Sequence, residues 1–147
     1  FVDNSSLKNE NEMNFVVSFL DSFEELCVEK NINLCLETDL KPAKFLRFLK
    51  KFKNKKIRVN YDSGNSASNG YKLNEELKLY GHLISNIHIK DRLFNGGPVP
   101  LGSGVAELKG IKEFIYKGFD GIVSFQAFRD ENPIKTFKDQ YEYFKNL

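Results

Sequence analysis

The sequence contains no tryptophan, one methionine and two cysteines in 147 residues. Two cysteines cannot form the disulfide framework of a small secreted domain, and Cys27 and Cys35 lack a metal-binding spacing. We therefore expect both to be reduced core residues. An excess of one charge is also missing, because 22 basic and 20 acidic residues leave a net charge of +2. This balance does not support a nucleic-acid or membrane-binding surface.

Long apolar runs are absent as well. No segment approaches the ~20 apolar residues that cross a bilayer, and no charged-then-apolar leader is present. We therefore expect a cytoplasmic protein. The hydrophobic content of 41% is that of a globular domain with its own core. Residues 1–6 have the composition of a strand end running into a loop, so we expect the chain to begin inside a domain.

Helices and strands are predicted to alternate along the whole chain. Apolar residues with helical spacing predict helices over 12–30, 42–52, 73–80, 107–117 and 133–145. Short apolar segments predict strands over 34–36, 57–61, 85–89 and 122–126, with turns at 62–65 and a long loop over 94–104. Such alternation predicts an α/β fold in which right-handed crossovers connect parallel strands.

Each predicted strand is followed or ended by one polar residue with chemical capability: Glu37, Asp62, His88 and Gln126. They are separated by 25, 26 and 38 residues, and the first two spacings approach the ~30 residues of one unit of a (β/α)8 barrel. Four units make half of a TIM barrel. A flavodoxin-like open sheet is the alternative, although its strands would not usually each end in such a residue.

These four side chains are expected to converge at the carboxyl ends of the strands. Carboxylate oxygens and an imidazole nitrogen suit Mn, Mg, Co or Zn. Lys90 lies two residues after His88, so the alternation of a strand places both on one face. For a lone histidine, a hydrogen-bonded core position would be an equal alternative; the neighbouring carboxylates favour a site.

The motifs resemble those of the xylose-isomerase-like barrel superfamily of sugar phosphate isomerases and epimerases. The matching segments are Leu36-Glu37-Thr38, Asp62-Ser63-Gly64-Asn65, His88-Ile89-Lys90-Asp91, Leu101-Gly102-Ser103-Gly104 and Gly118-Phe119-Asp120-Gly121 leading to Gln126. They resemble the fifth to eighth strands in order, so residues 1–147 are expected to form one partial domain, the C-terminal half of the barrel.

The resemblance implies a divalent metal ion held by Glu37, Asp62, His88 and the residue at 126. Glu37 is then also the base that moves a proton beside the carbonyl of a sugar or sugar phosphate, with Lys90 as a second catalytic candidate. Gln126 departs from the family pattern, which has Glu there, and an amide cannot take up a proton. The alternative is a degenerate barrel that binds a ligand or a partner chain without catalysis.

The resemblance also suggests substrate contacts from Asn65, Asp91, Arg92, Gly102 and Gly104, with the glycine-rich loop near a phosphate. An equal alternative is that the glycines serve loop geometry only. DNA-cleaving relatives are a poorer match, because Asn65 stands where they carry a further histidine. Half a barrel leaves two strand edges open, so we expect pairing with an N-terminal half-barrel or a second copy of the chain.

Overall fold

The computed structural model describes residues 1–126 and 128–147. Within these ranges one or two helices separate successive strands of the main sheet, in keeping with the predicted α/β order. The helices are α1 (Glu10–Asp21), α2 (Glu24–Glu29), α3 (Pro42–Leu49), α4 (Ser63–Ser68), α5 (Leu73–Tyr80), α6 (Leu108–Tyr116) and α7 (Pro133–Lys145). The strands are β1 (Leu34–Leu36), β2 (Ile57–Asp62), β3 (Ile84–Ile89), β4 (Asp91–Arg92), β5 (Pro98–Val99) and β6 (Ile122–Phe125).

Four strands form one parallel sheet in the order β1-β2-β3-β6. This confirms the predicted α/β class and its parallel strands. Strands β4 and β5 pair antiparallel in a second small sheet within the glycine-rich loop region. The loop predicted over 94–104 is therefore partly ordered by backbone pairing with the segment that follows β3.

The core lies on one face of the parallel sheet. Apolar side chains of β2 and β3, including Val59, Ile87 and Ile89, are buried against helices α3, α5 and α6. The opposite face carries polar or exposed residues, because strand side chains alternate between faces. Cys35 is exposed on that face, so the prediction that both cysteines are core residues is wrong for Cys35, whereas Cys27 is buried. None of the helices that the structure describes could cross a membrane.

Two local predictions are wrong. The helix predicted over 12–30 is divided at Ser22 and Phe23, because the Ser22 hydroxyl donates to the Phe19 carbonyl and Phe23 leaves the helical region at φ −95° and ψ 5°. The turn predicted at 62–65 is instead the start of α4. Asp62 caps this helix by accepting a hydrogen bond from the Asn65 backbone N–H at 2.7 Å.

Candidate metal centre

The sheet brings three of the predicted ligands together at the carboxyl ends of its strands. Glu37 follows β1, Asp62 ends β2, and His88 lies in β3 directly beside Asp62 in the parallel register. His88 Nδ1 is 3.8 Å from Glu37 Oε2 and 3.9 Å from Asp62 Oδ2. One ligand atom from each residue lies within 4.8 Å of the others.

The two distances from His88 suit a divalent ion. Two ligand atoms that are each about 2.1 Å from an ion can be at most about 4.2 Å apart, and the distances from His88 to Glu37 and to Asp62 fall within that limit. Two carboxylates and one imidazole supply the donor types that Mn, Mg, Co and Zn accept. We call the candidate ligand set of Glu37, Asp62 and His88 the metal centre.

Amide side chains hold the Glu37 carboxylate in place. Asn60 Nδ2 donates to Glu37 Oε2 at 2.7 Å, and Asn65 Nδ2 donates to Oε1 at 2.6 Å. Arg92 in turn donates from Nη1 to Asn65 Oδ1 at 2.8 Å and from Nε to the Gly96 carbonyl at 2.8 Å. Asn65 and Arg92 were both predicted to contact substrate. Here Asn65 orients the Glu37 carboxylate directly, and Arg92 orients Asn65.

Asn60 and Asn86 were missed by sequence reasoning. Asn60 Nδ2 and Asn86 Nδ2 each lie 3.2 Å from a ring nitrogen of His88, Nδ1 and Nε2 respectively. Asn86 also donates to Asn60 Oδ1 at 2.8 Å. The signal was the two-residue alternation of a strand, which places Asn60 on the same face as Asp62, and Asn86 on the same face as His88.

Burial sets the electrostatics of Asp62. Its side chain is only 2% exposed, and this desolvation raises the pKa of the Asp62 carboxyl. The backbone N–H of Asn65 and the Lys90 ammonium, 3.6 Å away, act in the opposite direction. A divalent ion at the metal centre would likewise favour the charged form of Asp62, because its positive charge, like that of Lys90, attracts the carboxylate.

Gln126 and Lys90 lie at the open side of the metal centre. Gln126 Nε2 is 2.9 Å from His88 Nδ1, and its Oε1 accepts a hydrogen bond from Lys90 Nζ at 3.2 Å. Lys90 thus lies beside the site as the alternation predicted. The oxygen of Gln126 faces the ammonium, so the amide must make a half-turn before that oxygen could reach an ion.

Asp91, Gly102 and Gly104 form a separate structural unit. Asp91 is 1% exposed and accepts four backbone hydrogen bonds at 2.9–3.0 Å, from Arg92, Gly102, Gly104 and Ala106. A side chain at Gly104 would collide with the Asp91 carboxylate. The predicted phosphate-binding amides of Gly102 and Gly104 therefore already have a partner within the chain, and the structure does not bring these three residues to the metal centre.

Comparisons with known proteins identify the fold. Residues 5–147 match the family model described as a xylose isomerase-like TIM barrel. The chain is similar to the xylose isomerase domain protein from Planctomyces limnophilus, with 20% identity and a TM-score of 0.76 over 100% of this chain and 55% of that one. No curated protein matches the chain.

Two further solved structures are similar. One is the apo form of 3-keto-D-glucoside 4-epimerase, YcjR, from E. coli, with 17% identity and a TM-score of 0.72 over 97% of this chain and 57% of that one. The other is the IolI protein with a bound zinc atom, with 17% identity and a TM-score of 0.75 over 98% and 60%. The chain thus spans less than two thirds of the length of these structures, and the likeness at these identities is one of fold.

Proposed function

The chain belongs to the xylose isomerase-like TIM-barrel family, and we propose that it carries the metal centre of an isomerase or epimerase that moves a proton beside the carbonyl of a sugar or sugar phosphate. The convergence of Glu37, Asp62 and His88 within 4.8 Å carries this proposal. Similar structures that include a sugar epimerase and a zinc-bound protein support it. The order of the three residues along the chain favours strands five to eight of the domain.

Each residue has a role in this proposal. A divalent ion would stabilise the negative charge that develops on the substrate oxygens. Glu37, Asp62 and His88 would hold the ion, and Glu37 would also be the base. The Glu37 side chain is 24% exposed and fixed by two amides, so it is both accessible and oriented. Lys90 can donate a hydrogen bond to a substrate oxygen from the open side.

A second candidate function rests on Gln126. Its amide cannot exchange a proton, so a reaction that needs a base on each side of the substrate lacks one of them. The chain would then be a barrel-derived subunit that binds a ligand or partner without catalysis. Gln126→Glu separates the two functions, since it should raise turnover if the site has decayed and lower it if the amide is required.

We further propose that another half-barrel covers the open edges, either an N-terminal half or a second copy. Strands β1 and β6 are the outer strands of the sheet. Large apolar side chains are exposed in the segments that adjoin both outer strands in sequence, and a partner would bury them: before β1 Phe15, Phe19, Phe23, Leu26, Val28 and Ile32, and in β6 and α7 Ile122, Ile134, Phe137 and Tyr141.

Calorimetric titration with Mn²⁺ tests the metal centre, after the molecular mass of the chain has been determined. His88→Ala should weaken binding by more than about 100-fold, because the loss of a direct ligand exceeds the 10–100-fold cost typical of supporting residues. His82→Ala is the matched control, because His82 is the other histidine and is exposed. Absence of binding by a folded chain, both alone and after addition of an N-terminal half-barrel, would refute the proposal.

A further inference from the structure

A cleft with two positively charged lining residues lies beside the metal centre. This open cleft of about 560 Å³ is lined by Lys90, Pro98, Gln126, Phe128 and Arg129. This volume is within the ~300–1,000 Å³ that small-ligand sites usually have. Two of the five lining residues are cations, and among the residues that the structure describes no carboxylate lines the cleft.

The amide at position 126 leaves the Lys90 charge without a full counter-charge on the cleft side. Lys90 Nζ donates to Gln126 Oε1 at 3.2 Å, whereas a carboxylate at that distance would form an ion pair. Lys90 does have an acidic neighbour in Asp62, 3.6 Å away, but Asp62 belongs to the metal centre. A divalent ion would balance Glu37 and Asp62, so Lys90 and Arg129 would then add two positive charges to the lining of the cleft.

We infer that Lys90 and Arg129 form a binding subsite for an anionic group, a carboxylate or a phosphate, on the sugar held at the metal centre. This inference rests on the proposed function for the position of the sugar. An arginine can bind either anion through two parallel hydrogen bonds, and a lysine adds a point charge. The ring of Phe128 offers an apolar surface for the carbon face of the sugar.

The other hydrogen-bond donors that could bind an anion already have acceptors within the chain. The N–H groups of Gly102 and Gly104 donate to Asp91. Arg92 is occupied by Asn65 and the Gly96 carbonyl, and it lines a different cleft of about 240 Å³. The side chains of Lys90 and Arg129, and not the backbone of the glycine-rich loop, therefore provide recognition of an anion on this side of the metal centre.

Calorimetric titrations of the Mg²⁺-loaded chain with D-gluconate, inorganic phosphate and neutral sorbitol test the subsite. We expect gluconate or phosphate to bind, and Arg129→Ala to weaken that binding by about 10-fold or more, because one charged contact is lost. Arg47→Ala is the matched control, since Arg47 is also exposed but lies on α3. Sorbitol binding should be the same in all three proteins.

Gln126→Glu provides the decisive variant. The introduced carboxylate should pair with Lys90 and weaken anion binding by about 10-fold or more, while Mg²⁺ affinity is kept or increased. Binding of gluconate alone identifies a carboxylate subsite, and binding of phosphate alone identifies a phosphate subsite. The inference is wrong if neither anion binds, or if both variants bind anions as the unmodified chain does. Loss of Mg²⁺ binding by the unmodified chain would instead count against the metal centre.

Discussion

Asp91→Asn is expected to destabilise the chain strongly without touching the metal centre. Asp91 is 1% exposed; Oδ1 accepts from the backbone N–H groups of Arg92 and Ala106, both at 3.0 Å, and Oδ2 accepts from those of Gly102 and Gly104, both at 2.9 Å. An amide replaces one of these oxygens with a donor. In either orientation, two backbone N–H groups then face an N–H group and lose their acceptor.

The magnitude follows from those two bonds. Hydrogen bonds to a charged group are each worth about 1.5–3 kcal/mol, and relief of the buried charge offsets part of the loss. We expect a loss of about 3 kcal/mol, which corresponds to a fall of about 6–12 °C in Tm for a chain of this size. Urea unfolding followed by far-UV circular dichroism measures the change.

Asp120→Asn is the control, because Asp120 is exposed and surface substitutions usually change stability by less than about 0.5 kcal/mol. A loss below about 1 kcal/mol for Asp91→Asn would refute the assignment of Asp91 as the residue that organises the loop. Mn²⁺ affinity of the folded variant should be unchanged. If the folded variant instead loses Mn²⁺ affinity, Asp91 would contribute to the binding site.

Two further substitutions test the polar clusters around the site. Asn65→Ala should weaken Mn²⁺ binding by about 10-fold, because Glu37 Oε1 loses its 2.6 Å donor. Calorimetric titration measures this change, with Asn74→Ala as the control because Asn74 is exposed. A change below twofold for Asn65→Ala would contradict the prediction. Burial raises the pKa of Glu76 above 4.5, although Ser66, Tyr61 and Tyr80 donate hydrogen bonds to its carboxylate. The folded chain therefore binds more protons than the unfolded chain, and its free energy of unfolding falls as the pH rises from about 4.5. As the pH rises from 4.5 to 7, the free energy of unfolding of Glu76→Gln should therefore increase relative to that of the unmodified chain, as measured by urea unfolding. A stability difference that stays constant over this pH range would contradict burial of the Glu76 charge as the cause.

Local patterns were sufficient for most of the fold. Helical spacing and short apolar strands predicted the alternating elements and the parallel sheet, because both depend on which face of each segment is buried. The division of the first helix at Ser22 was not predictable in this way. Besides the Ser22 hydroxyl, it involves Asp21, whose carboxylate accepts hydrogen bonds from the backbone of Lys53 and Asn54, and these residues are distant in sequence.

The sequence by itself determined that Glu37, Asp62 and His88 converge, because each ends or follows a strand, and the carboxyl ends of parallel strands meet at one edge. Only the tertiary structure decided the roles of the residues around them. In the folded chain Asn65 donates to Glu37 and Arg92 donates to Asn65, the Asp91 carboxylate accepts hydrogen bonds from the loop backbone, and Lys90 lies between Asp62 and Gln126. The physical reason is that strand alternation fixes the face of a side chain, whereas its hydrogen-bond partner depends on loops that fold back from distant parts of the chain.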